Sequence, residues 1–297
     1  MFAHEIGHQL LGLEDLYPVN CTGKQQVADG YICNNDPSKW YPFRPGWYTL
    51  MDVDGPGIIS HFDPWAKIHL GFVKPLVVTQ DGTYRLYDAE TERNLPTQNA
   101  QPEAIIIYDP LRPDPYKEYF ILENRERNTS VMDRGLALWL INENGPDWPL
   151  GLILRRVIRL IRRDGGADNL GQVHDLQALW DGVNSTDGYD LNATSIPIDT
   201  SWTDGSSSYI EVYDISQAGP SMTFKVTMPP IFVDQSQTGT ENGSQANPFD
   251  TVYEGVSAIP TPPRTIKIAG GSYPDSIVIN TPCTLKGWRN GNAVIGR

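Results

Sequence analysis

The sequence predicts an α+β chain in three parts. Residues 1–75 read as a helix followed by loops, 76–228 as an antiparallel β-sandwich-like region, and 229–297 as the first coils of a right-handed parallel β-helix. Three observations carry this prediction. Helical periodicity is confined to the first part. Short runs of alternating apolar and polar residues dominate the second. After Met228-Pro229-Pro230, which reads as a linker, Asn, Gly, Ser, Thr and Pro rise and short Val/Ile runs alternate with them.

Phe2 to Leu13 reads as helix, ending near Gly12, a residue that readily takes the left-handed conformation at a helix C-terminus. The stretch from there to about Gly57 has little periodicity, and a loop of that length is usually functional. Phe62 to Gly71 is a second helix, with Phe62, Trp65, Ala66 and Leu70 on one face and Asp63-Pro64 at its start.

The expected strands are Thr83 to Tyr87, Ala104 to Tyr108, Glu118 to Glu123, Leu136 to Ile141, Tyr209 to Tyr213 and Met222 to Val226. Arg155 to Arg163 carries five arginines, but Val157, Ile158, Leu160 and Ile161 interleave with them, which favours a half-exposed strand over a nucleic-acid patch. In the tail, residues 265–268, 276–279 and 293–295 are spaced like rungs of a parallel coil, with Phe249, Val252, Ile266 and Ile268 as core.

The chain has 297 residues and a net charge of −13. A field of that sign repels phosphate backbones and argues against nucleic acid as a partner. It is compatible with Ca²⁺ and with an extracellular setting. No apolar run approaches the ~18 residues of a membrane span. Cys21 and Cys33 bracket a polar loop and could close it as a disulfide, which would leave Cys283 over; free thiols are an equally simple reading. No signal peptide is visible, so the reading expects a secreted protein whose upstream segment is missing. As it stands, residues 1–75 are then expected to fold poorly or to work inefficiently.

The residues that carry chemistry are His4-Glu5-Ile6-Gly7-His8. Positions i and i+4 share one helix face, so His4 and His8 can present two imidazoles to one Zn²⁺. Glu5 lies beside them and can act as general base on a water at the metal. Gly7 costs roughly 1 kcal/mol of helix propensity, which a helix that merely packs would avoid. A third protein ligand is needed, and the turn at Gly12 would bring back either Glu14 or Asp15. His61 as a ligand is less favoured than a structural histidine. Asp164, Asp168 and Asp181 sit in Gly/Asn-rich loops that could hold Ca²⁺ but lack a strict calcium-loop spacing.

His4 to Tyr17, HEIGHQLLGLEDLY, resembles the active-site segment of the immune inhibitor A-like family of secreted metalloproteases, a relative of the metzincins. Further segments resemble that family in order: Tyr48 to Asp52 its methionine turn, Phe62 to Gly71 its AWxKxxLGW segment, Tyr119 to Arg125 its YFLVENR strand, Gly135 to Glu143 its GLLIWHIDE strand, and Trp202 to Ile215 with Met222 to Val226 its closing section. The likeness implies that residues 1–75 are the C-terminal part of a metzincin-like catalytic domain and that Met51 floors the metal site. It implies Asp15 as third ligand, since Gly12-Leu13 and Leu16-Tyr17 match around it. Leu11 stands where the family has glycine, Val53 where a tyrosine is found, and Leu140 where the strand carries histidine. The tail resembles a pectate-lyase-like β-helix at fold level.

The expected function is therefore a zinc-dependent endopeptidase acting on extracellular proteins or peptides, with cell-surface polysaccharide as a partner for the tail. The alternative is a non-catalytic adhesion or carbohydrate-binding protein with a vestigial protease domain, against which intact His4, Glu5 and His8 argue.

Overall fold

In the computed structural model, the described residues are 7, 9, 11–13, 24–27, 30–33, 36–42, 62–88, 102–112, 114–126, 134–143, 157–161, 179–181 and 200–296. Strands dominate them. The two bounded helices, α1 (Pro64–His69) and α2 (Val252–Ser257), are six residues each. This overturns the α+β expectation: the described residues show a mostly β chain and no metzincin-type α+β domain.

The first correction falls within residues 1–75. The segment read as loop contains a three-stranded antiparallel sheet, β1 (Lys24–Val27), β2 (Gly30–Cys33) and β3 (Asp36–Pro42). Val27 pairs with Gly30, so the β1–β2 connection is a tight hairpin. Tyr31, Ile32, Trp40 and Tyr41 are residue types that favour a pleated surface, and their runs are too short for periodicity to announce them.

Three layers then build the body of the fold. A five-stranded sheet runs in the order β4 (Leu76–Val78), β6 (Ala104–Ile107), β7 (Glu118–Arg125), β8 (Gly135–Asn142), β9 (Val157–Ile161). Its neighbours are antiparallel except for β4 and β6, which are parallel. A three-stranded antiparallel sheet has the order β10 (Glu211–Tyr213), β11 (Ser221–Thr227), β5 (Gly82–Tyr87). The five-stranded sheet is thus mixed, where the sequence suggested only antiparallel pairing.

The period-2 alternation of β7 and β8 sorts their side chains between two cores. Phe120, Leu122, Leu136, Leu138 and Leu140 meet Val212, Met222, Phe224 and Val226 of the smaller sheet. Ile121, Ala137, Trp139 and Ile141 point the other way, where Trp65 and Ile68 of α1 pack on them. Strands buried on both faces give up alternation of polarity, which is why GLALWLIN reads as one continuous apolar run. Each fully buried Leu or Phe contributes about 1.5–3 kcal/mol.

Helix α1 begins where the sequence indicates. Asp63 caps it by accepting the Ala66 N–H at 2.8 Å, and Pro64 occupies the first helical position, where its missing N–H costs nothing.

The tail forms a parallel sheet, β12 (Ile231–Val233), β13 (Arg264–Tyr273) and β14 (Cys283–Ile295). Its rungs differ from those read in the sequence: residues 276–279 are not a strand, and β12 follows directly on Met228-Pro229-Pro230, which is buried. Ile231, Ile266 and Leu285 stand in register across the three strands. The first two are fully buried and Leu285 on the outermost strand is 38% exposed. Val252 and Val256 of α2 close this core.

Candidate functional site

Of the residues nominated for chemistry, His4, Glu5, His8, Glu14 and Asp15 lie outside the described residues, as do Met51, His61, Cys21, Asp164 and Asp168. Near His8 in the sequence, residues 7, 9 and 11–13 are described. Gly7, Gln9 and Leu11 are helical, and Gly12 takes φ +65, a conformation that suits glycine. The Leu13 N–H then donates back to the Gly7 carbonyl at 3.0 Å. The turn at Gly12 falls at the expected position, two residues before Glu14 and three before Asp15 in the sequence.

Leu13 carries this turn onto α1. It is buried with Ala66, and Leu11, Phe62, Trp65 and Leu70 pack around the pair. Helix α1 is fastened to the five-stranded sheet by two polar contacts. Lys67 Nζ donates to Glu123 Oε2 at 2.9 Å, and Trp65 Nε1 donates to Glu143 Oε1 at 2.9 Å. Tyr119 OH shares Glu143 Oε1 at 2.6 Å, and Arg125 Nε reaches Glu123 Oε1 at 2.6 Å. Burial holds the Lys67 ammonium below its ordinary range, partly offset by Glu123. These contacts join three segments singled out in the sequence: the helix with Trp65 and Lys67, the strand ending Glu123-Asn124-Arg125, and the strand running into Glu143.

His69 stacks on the Trp65 ring, with centroids 4.7 Å apart and planes 15° apart, an arrangement for packing rather than ligation. Asp181 follows the buried Trp180, and among the described residues it joins no carboxylate cluster. Cys283 is a free thiol, and burial pushes its pKa up, the direction of an unreactive cysteine.

Sequence reasoning missed a different carboxylate group. Glu241, Asp250 and Glu254 each bring one oxygen within 4.8 Å of the others, a spacing that could hold a metal ion. Thr251 caps α2 by accepting the Glu254 N–H at 3.2 Å, and its hydroxyl donates to Glu254 Oε2 at 2.6 Å. Desolvation raises the Asp250 carboxyl, reinforced by a hydrogen bond that it gives to Glu254 and by the charges of Glu241, Glu254 and Asp275. The Thr251 hydroxyl lowers that of Glu254. Thr251-x-x-Glu254 is a readable helix-start signature, but the approach of Glu241 from ten residues upstream is not legible locally.

No protein-family model matches the chain, and neither a curated protein nor a solved structure does.

Proposed function

We propose that the chain is part of a secreted zinc-dependent endopeptidase that hydrolyses peptide bonds of extracellular proteins. His4, His8 and Asp15 would hold the metal and Glu5 would serve as general base. Two imidazoles and one carboxylate are the donors a catalytic zinc uses, with a position left for water. Zinc bound there supplies the Lewis acidity that makes water a usable nucleophile near neutral pH. Glu5 accepts the proton of the attacking water and hands it to the leaving amine.

The observation that most supports this reading is the glycine turn. Gly12 at φ +65 follows the helical Gly7, Gln9 and Leu11, and Leu13 just beyond it packs on Ala66. The zinc reading needs a turn at this point, four residues after His8 in the sequence and two and three residues before Glu14 and Asp15. The contacts of α1 with Glu123 and Glu143 give the Leu13–Ala66 packing a rigid base.

Elemental analysis paired with casein cleavage tests the reading. About one zinc per chain is expected. It should be lost in His8→Ala and in Asp15→Ala, and retained in Glu5→Gln while cleavage disappears. Zinc lost in Glu14→Ala instead would move the third ligand by one residue. A folded wild type that binds no zinc would remove the protease reading. For the carboxylates of Glu241, Asp250 and Glu254 the fitting cation is Ca²⁺, a hard ion that takes oxygen ligands.

A further inference from the structure

The C-terminal sheet has one covered edge and one open edge. Beside β12, the Phe232 N–H donates to the Gly243 carbonyl at 2.9 Å. There too the Phe249 N–H donates to the Phe232 carbonyl at 3.0 Å, and the Asp234 N–H to the Phe249 carbonyl at 2.8 Å. Strand β14, at the other end, pairs with β13 alone among the described residues. Its outward row of N–H and C=O groups is a template for a further strand.

The register defines what such a strand must carry. Ile231, Ile266 and Leu285 form an apolar column on the core side, buried at its first two positions and exposed at Leu285. Phe232, Lys267 and Lys286 form the next column, on the opposite face. Neighbouring strands lie about 4.8 Å apart, so Lys267 and Lys286 are like charges in adjacent positions, a pairing that destabilises a sheet.

Lys267 stands over the rings of Tyr209 and Phe232, 5.6 and 5.5 Å from their centroids. Lys286 is exposed, and neither lysine forms a salt bridge with a described residue. The charge of Lys286 reaches Asp81, whose carboxylate already accepts the Met228 N–H at 2.7 Å. Arg289, the other cation of β14, is taken by Asp234 at 2.8 Å. The strand carries no acidic residue.

We propose that the open edge of β14 takes an extended peptide segment of another protein as a fourth strand, with an acidic side chain beside Lys286 and an apolar one beside Leu285. The acid offsets the repulsion of the lysine pair, and the apolar residue covers the exposed end of the core column. Backbone hydrogen bonds along the edge supply affinity, and the alternating side chains supply specificity. A second copy of β14 fits worse, because a strand whose only charges are Lys286 and Arg289 repels its own like. Such binding requires neither zinc nor cleavage.

Fluorescence anisotropy on the full chain, with a chelator present so that cleavage cannot consume the probe, tests this with two labelled peptides. One alternates valine with glutamate and threonine; the other has lysine in place of glutamate. At low salt the wild type should bind the glutamate peptide about tenfold more tightly than the lysine peptide, as attraction beside Lys286 turns to repulsion. Lys286→Glu should reverse that order, and because Lys286 is exposed the variant keeps the sheet. Hydrogen exchange should show protection gained over residues 283–288 when the glutamate peptide binds. No binding, equal affinity for the two peptides, a preference that survives Lys286→Glu, or protection gained elsewhere and not on β14 each overturns the proposal. So does a wild type that sediments as a dimer with β14 already protected, which would give the edge to a second copy.

Discussion

Lys67 and Glu123, 56 residues apart in sequence, meet at 2.9 Å between α1 and the centre of the five-stranded sheet, with side chains 12% and 1% exposed. Glu123 also receives Arg125 through its other oxygen, so one carboxylate stands between two cations. Glu123→Gln removes that charge and should cost about 3 kcal/mol, as expected when one partner of a buried pair is deleted. Lys67→Met leaves Glu123 its contact with Arg125 and should cost less. Urea midpoints of the two variants rank them. A Glu123→Gln loss below about 0.5 kcal/mol would assign the pair to the weak class of surface bridges.

Acid should act on the coil through Asp234. Its carboxyl lies below the ordinary 3.8, chiefly because the Ser236 hydroxyl donates to it at 2.6 Å, with help from the Ser236 N–H and from Arg289 at 2.8 Å. A depressed folded pKa means that this stabilisation is complete above 3.8 and is lost as pH falls through the folded value. The wild-type C-terminal sheet should therefore weaken at pH values below 3.8. Asp234→Asn should flatten the acid limb of a pH–stability profile and leave the other limb in place.

A cation bound by Glu241, Asp250 and Glu254 would compete with protons, because desolvation and the neighbouring acids raise the Asp250 carboxyl. Added Ca²⁺ should raise the thermal midpoint of the wild type and leave that of Glu254→Gln unchanged, because ligand bound only to the folded state stabilises it by mass action. Competition between metal and proton predicts that the shift shrinks on acidification. Equal midpoints with Ca²⁺ and with a chelator would return the three acids to ordinary surface.

Elements with a strong period or an explicit cap were legible in the sequence. Asp63-Pro64 marks the start of α1, Gly12 marks the end of the first helix, and the apolar runs around Phe120 and Leu138 mark the central strands. What failed were features set by distant pairing. The sheet of β1 to β3 depends on hairpin contacts between short polar strands. The parallel direction of β4 depends on its partner Ile105. The β13 and β14 rungs are registered by their neighbours, so residues 276–279 carry a strand-like pattern without a strand's partner. For the nominated zinc site the sequence offers chemistry alone, since His-Glu-x-x-His names donors and a base; the Lys67–Glu123 and Trp65–Glu143 ties, between residues 56 and 78 positions apart, carry no local signal.

Gly135 should be among the least replaceable residues in the central sheet. It starts β8 at φ +143, and a Cβ there would lie 2.6 Å from the Trp180 carbonyl oxygen. That oxygen accepts the Leu136 N–H at 2.7 Å, and Trp180 N donates back to Leu136 O at 3.0 Å. Backbone cannot yield as a side-chain tip can, so Gly135→Ala must either break this bridge or displace Trp180, whose indole N–H holds the Ile161 carbonyl at 2.9 Å on β9. Gly205, at φ +80 with open space around its Cβ position, isolates the backbone cost alone. Gly205→Ala should lose about 1 kcal/mol. Gly135→Ala should lose about 3 kcal/mol or more, because a buried clash adds to the backbone strain. Urea unfolding followed by tryptophan fluorescence measures both; equal losses would mean that Trp180 gives way freely and that the β8–Trp180 bridge does not hold the edge of the sheet.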